Sequence, residues 1–374
     1  MSKSYTPGLK ILKNTTIIKE RILPLKGRVH VESKDKVDSD TIVASTNIPG
    51  NVHMVNLVNE LNIDAEQSES CMLFKVGDSV KKEQILAQNK GLFGMFKSEV
   101  KSPVDGIIEN ISNVTGQLVI SEKPIPIEMD AYIPGIVNNV FEEEGAIIKS
   151  EGTYIQGIIG IGGEKKGILK VLADSGSDVL DNSCLSTDLK NCIVVCGSYI
   201  DYSFYNKCSE IGIKGIICGG FDYDNISEIL GYPLGVAITG TENTATLIIT
   251  EGFGRVNMAE RTFDLFKKNN EMLVSINGAT QIRAGVMRPE IFIAKEGNTK
   301  NIKELNDEDL VISISSAVRV IRKPYFGKIG KVVELPHDLM KMESETQVRV
   351  AVIEFPDQTT KIIPRANLEV ILSD

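Results

Sequence analysis

The residues with most to offer a ligand or a reaction lie in three loops in the second half of the 374-residue chain: Gly219-Gly220-Phe221-Asp222, Thr239-Gly240-Thr241-Glu242 and Thr250-Glu251-Gly252-Phe253-Gly254-Arg255. The segment that follows, SINGATQIRAGVMRPEI, adds Asn277, Thr280, Gln281, Arg283 and Arg288. Each loop leaves an apolar run that reads as a strand, and open α/β sheets bind small molecules over the carboxyl ends of their strands. Glu242 and Glu251 could do acid–base work only beside a histidine, lysine or metal-ligand partner, and the spacing supplies none. Caps and turns use the same residue types. The expectation is that these residues are structural first, a ligand or partner surface second, and catalytic last; no residue is assigned a catalytic role.

Other chemistries find less support. The six cysteines, Cys71, Cys184, Cys192, Cys196, Cys208 and Cys218, are too scattered for a disulfide framework, and Cys192 and Cys196 sit in CIVVCG, which reads as a buried strand. A metal site would need a CxxC pair or neighbouring histidines, whereas His30, His53 and His337 are far apart. No metal and no cofactor is expected. The glycine-rich GIIGIGGEKKG, residues 157–167, fits neither GxGxxG nor a Walker loop. It is expected to be a tight crossing between β segments, with a phosphate cradle as the alternative and Lys165 and Lys166 solvated.

The elements that would position the three loops form a small α/β domain, residues 185–295. Strands are expected at 191–199, 215–219, 235–239 and 246–250, and helices at 203–211, 225–230 and 258–268. Strands apolar throughout and alternating with helices imply a mostly parallel sheet covered on both faces. A polar linker, 173–190, precedes it and a charged connector, 296–310, follows. A net charge of −9 argues against DNA and acidic membranes as partners, and no run approaches ~18 apolar residues, so a cytoplasmic protein is expected. The first 15 residues read as a loosely docked arm.

Residues 16–172 are β-rich, with turn formers at Gly77-Asp78, Asp105-Gly106 and Pro134-Gly135 between alternating runs. A helix is expected over 55–61, ended by Asn62. The pattern VGDSVKKEQILA followed by SPVDGII resembles the biotinyl/lipoyl-like barrel-sandwich hybrid, in the version found in RnfC-type electron-transport subunits. The carrier members of that fold present a lysine at a hairpin tip, framed by Met-Lys-Met or Asp-Lys-Ala. Lys90 and Lys97 flank the corresponding hairpin here without that frame, so no prosthetic group is expected on either. Its apolar tip, Leu92, Phe93, Met95 and Phe96, suits burial, either against the same chain or as a docking hairpin for a partner.

The C-terminal stretch, residues 311–374, contains SAVRVIRKPYFGKIGKVVELP and a return strand ending in PRANLEV, and resembles the KOW motif of SH3-like barrels. Its basic segment, Arg319, Arg322, Lys323, Lys328 and Lys331 beside Tyr325, is expected at the surface, for protein contact or, alternatively, for RNA phosphates and a stacked base. The fold class is thus a multidomain β and α/β protein. The whole combination resembles an uncharacterised bacterial family associated with actin-like accessory ATPases of adenosylcobalamin-dependent mutases. No DxHxxG-type cobalamin loop is present. The expected function is a non-catalytic accessory or scaffold protein that docks a protein partner, for which the resemblance implies such an ATPase. An RNA-binding factor and a small-molecule enzyme or sensor are the alternatives.

Overall fold

The axis of the molecule is a 14-residue strand, Leu9–Ile22. It runs antiparallel to Gly145–Gln156, from Ile11 opposite Ile155 to Ile22 opposite Gly145, and its first residues pair in parallel with Leu368–Leu372 at the other end of the chain. Residues 9–15 of the expected arm are therefore corrected to sheet interior. Leu9, Ile11 and Leu12 are buried, and lysines at 10 and 13 had hidden their pattern. A register shift between Leu12 and Thr15 breaks the two-residue period at the same place.

This strand lies within one continuous mixed sheet of 16 strands among the described residues. In this computed structural model the described residues are 9–89, 98–231, 237–238, 245–281, 287–295, 312–320, 324–325, 328–341 and 347–372. The hairpin residues Lys90, Leu92, Phe93, Met95, Phe96 and Lys97, together with Thr239, Thr241, Glu242, Arg283, Arg322, Lys323 and the connector 296–310, lie outside them.

Toward one end of the sheet come four parallel strands, Glu164–Val171, Ile193–Val195, Gly215–Phe221 and Thr246–Phe253. Antiparallel neighbours flank them, Ile159–Ile161 outside and Leu273–Asn277 inside. Helices Tyr202–Ile211 and Tyr223–Leu230 cover one face through Phe204, Cys208 and Ile226. Helix Glu260–Lys268 covers the other through Phe263 and Phe266, packed on Ile193, Val195 and Ile217. Burying each such side chain contributes about 1.5–3 kcal/mol. The first helix starts where the Asp201 carboxylate accepts the Phe204 N–H at 2.8 Å and stops at Gly212, whose φ of 86° suits glycine. The glycine run 157–167 is a tight crossing: a Cβ on Gly278 would lie 2.3 Å from the Ile161 carbonyl oxygen. The expected linker packs on the sheet edge, with Val179 bridging Tyr199.

Of the region 16–172, strands Ile159–Ile161 and Glu164–Val171 belong to the α/β sheet, and the rest divides into two parts with separate cores. One, built from Arg28–Val29, Lys36–Val37, Ile42–Ile48, Ile125–Asp130, Gly135–Phe141 and the axial pair, encloses Val43, Tyr132, Val137 and Ile148. The other, residues 52–121, has its own four-stranded sheet in the order Val52–Asn56, Gln117–Ser121, Gly106–Ile111, Ser79–Val80, around Leu57, Leu61, Leu86, Ile108 and Leu118. Its helix Leu57–Leu61 ends at Asn62, in the left-handed region with φ 52°. The two parts join at a neck where the Glu122 N–H donates to the Asn51 carbonyl and a Cβ on Gly50 would meet the Glu122 oxygen at 2.3 Å.

The C-terminal strands Ala317–Val320, Ile329–Glu334, Val350–Glu354, Thr360–Pro364 and Leu368–Leu372 are antiparallel around Val318, Val320, Ile353, Leu368 and Val370. Leu12 of the axial strand is buried in this same core. Among the described residues no helix is long and apolar enough to cross a membrane.

Candidate functional site

The sheet coils so far that Glu251, on the second strand of its path, meets Arg319 on the eleventh. Arg319 donates to Glu251 at 2.6 Å and to Glu369 at 3.2 Å, and Glu369 also accepts from Arg288. Glu251 accepts a further bond from the Ala259 N–H, at the start of helix Glu260–Lys268, at 3.1 Å. Arg319 and Glu369 face each other across adjacent strands, so their side chains share one face while Val318 and Val320 fill the terminal core. That face is covered by the α/β region: Glu251, Arg319 and Glu369 are 5%, 3% and 2% exposed.

Burial pushes the Glu251 carboxyl above its usual range, with Arg319 opposing and Glu369 reinforcing the shift. Two carboxylates and two guanidinium groups thus form one network, in which Glu251, Glu369 and Arg319 are buried and the Arg288 side chain, at its rim, is 15% exposed. Arg319, expected at the surface, is corrected to an interior residue, and Glu251 and Arg288 are brought to it and away from any strand-end surface.

What remains at the carboxyl edge of the parallel strands is a smaller group. The Tyr199 hydroxyl donates to Asp222 at 2.6 Å, and the Arg255 guanidinium lies 5.1 Å from the Tyr199 ring centre. Burial and the Asp222 carboxylate push the Tyr199 hydroxyl up to about 12, so it donates and does not ionise near neutrality. The crevice itself is filled by backbone: a Cβ on Gly219 would meet the Val256 carbonyl oxygen at 2.3 Å, and one on Gly197 the Asp178 oxygen at 2.5 Å. Asn277 is not at this edge. It pairs with Glu164, at the start of its strand, and its side chain closes a turn onto the Ala279 N–H.

A second charged cluster, with no counterpart among the sequence candidates, joins the β region to the α/β sheet. Lys19 pairs with Glu290 at 2.5 Å, and the Tyr154 hydroxyl donates to the same carboxylate at 3.0 Å. Arg21 donates to both oxygens of Glu164 at 2.8 and 2.9 Å and to the Asp130 backbone at 2.7 Å. Lys166, expected to be solvated, instead pairs with Asp40 at 2.6 Å and with Asp130. Between Lys19 and Arg21 lies Tyr132, with the two cations 5.8 and 5.4 Å from its ring centre. Tyr132 is 1% exposed, has a φ of 63°, and its hydroxyl has no hydrogen-bond partner among the described residues. The available signal was the pair Lys19 and Arg21, two residues apart and so on one face of a strand.

In the terminal region Tyr325 packs on Phe355 with ring centres 5.8 Å apart, and Lys328 lies 5.3 Å from that same ring, while Lys331 is exposed. No grouping of three or more metal-ligating side chains is found among the described residues. No family model matches the chain, and no curated protein matches it.

Proposed function

We propose that the chain is a non-catalytic accessory or scaffold protein whose 52–121 unit docks a protein partner. The observation that carries this reading is the contrast between occupied charges and free apolar surface. Arg319 is bound to Glu251 and Glu369, and Arg288 to Glu369, whereas Val52 and Met54, on the outermost strand of the 52–121 sheet, are 60% and 70% exposed. Two large apolar side chains alternating on a strand at a sheet edge suit contact with another protein. In this reading the β region is a barrel-sandwich hybrid, the C-terminal strands an SH3-like barrel, and the protein cytoplasmic. The family resemblance makes an actin-like accessory ATPase the first partner to test. RNA is the weaker partner, because Tyr325 is already engaged by Phe355 and is poorly placed to stack a base.

The test is affinity capture of the tagged full chain from its native cells after gentle crosslinking. A partner in fixed ratio is expected, lost when Val52→Lys and Met54→Lys are combined, with the melting temperature unchanged. Recovery of the chain alone, or undiminished capture by the double variant, contradicts the reading.

A further inference from the structure

An open groove of about 450 Å³ lies at the amino-terminal edge of the parallel strands, opposite the filled carboxyl edge. That volume is within the range of small-molecule sites. Helix Tyr202–Ile211 contributes Tyr202, Tyr205, Asn206 and Ser209, spaced so that they share one face of the helix. Helix Tyr223–Leu230 contributes Glu228 and Ile229. The Tyr205 hydroxyl donates to the Ala245 carbonyl at 2.9 Å, tying the helix to the groove floor.

Lys165 and Lys214 line this groove and are both half-buried. Neither side chain has an ion pair or hydrogen bond among the described residues, in contrast to Lys166, which points the other way from the same strand and pairs with Asp40 and Asp130. Lysines near the carboxyl ends of helices often serve the last carbonyls. Here some of those carbonyls are already served by backbone: the Gly212 N–H bonds Cys208 and Ser209, and the Gly231 N–H bonds Ser227. Asp40, the carboxylate that feels Lys214, is held low chiefly by Lys166 and is itself exposed. An anion bound in the groove offsets the charge of both lysines.

We propose that this groove binds a small dianion, a phosphate monoester or a dicarboxylate, with Lys165 and Lys214 taking its charge and Tyr202 and Ile229 contacting its apolar part. The site is separate from the 52–121 docking unit, so either assignment can fail without the other.

The test is thermal unfolding of the full chain in 10 mM inorganic phosphate or 10 mM succinate, concentrations of roughly millimolar order chosen for weak sites, against chloride at matched ionic strength. At least one anion is expected to raise the melting temperature by about 2 °C or more. A shift with phosphate alone assigns the phosphate class, and a shift with succinate alone the dicarboxylate class. The Lys165→Ala/Lys214→Ala variant loses the shift, and so does Asn206→Asp, which places a negative charge on an exposed wall position without disturbing the core. Lys26→Ala, remote from the groove, keeps it. No shift with either anion in the wild type, or a full shift in Asn206→Asp, overturns the proposal.

Discussion

Two charged junctions hold this molecule together, and they differ in how much water reaches them. At the terminal junction Arg319, Glu251 and Glu369 are all at most 5% exposed. At the β-region junction the Arg21 side chain is 8% exposed, but its partners Asp130 and Glu164 are 30% and 37% exposed. The residue types are the same, and the dielectric around them is not. A buried pair costs much to assemble and much more to break halfway, because the group left behind is charged and dry. A pair whose carboxylates reach water loses only the bond itself.

Mutations can sharpen or break that contrast. The largest effect is expected for Arg319→Ala, which leaves buried Glu251 without a cationic partner and Glu369 with Arg288 alone, and should cost about 3–5 kcal/mol in urea unfolding. Arg21→Ala removes bonds to carboxylates that can rehydrate, and should cost about 1–3 kcal/mol. Equal losses would erase the distinction between the junctions.

A smaller effect concerns pH. The folded state raises the Glu251 carboxyl above its ordinary value near 4.5, so between that value and the raised one the folded chain holds a proton that the unfolded chain has lost. Stability contributed by this group therefore falls as pH rises across that window, and Glu251→Gln should flatten the slope measured by denaturant titration at successive pH values. Parallel slopes in the two proteins would contradict the assignment. The smallest effect is expected at Lys26, 72% exposed and paired with Glu143, where Lys26→Ala should leave the melting temperature unchanged within error.

Local signals were legible and tertiary coverage was not. Helix Tyr202–Ile211 could be read because Asp201 and Gly212 mark its ends chemically, and Asn62 marked the end of Leu57–Leu61 in the same way. The alternation Val318, Arg319, Val320 told which residues share a face of the strand. It carried no information about what lies against that face, so Arg319 read as surface. Lys166 was misplaced for the same reason, since Asp40 and Asp130, which hold it, are distant in sequence. The axial strand was missed because the lysines at 10 and 13 and a register shift obscure its period. Of the candidate strand-end residues, Asp222 and Arg255 do meet, around Tyr199, while Glu251 and Arg288 belong to the terminal junction.

The central claim is that the terminal strands and the α/β sheet are one structural unit, closed by Arg319, from which the 52–121 unit stands apart. Native-state hydrogen exchange across a urea series tests it directly. Amides of 317–320, 368–372 and 246–253 are predicted to lose protection at the same urea concentration, and those of 106–111 and 117–121 at a different one. Early loss of protection in 317–320 and 368–372 while 246–253 stays protected would contradict it.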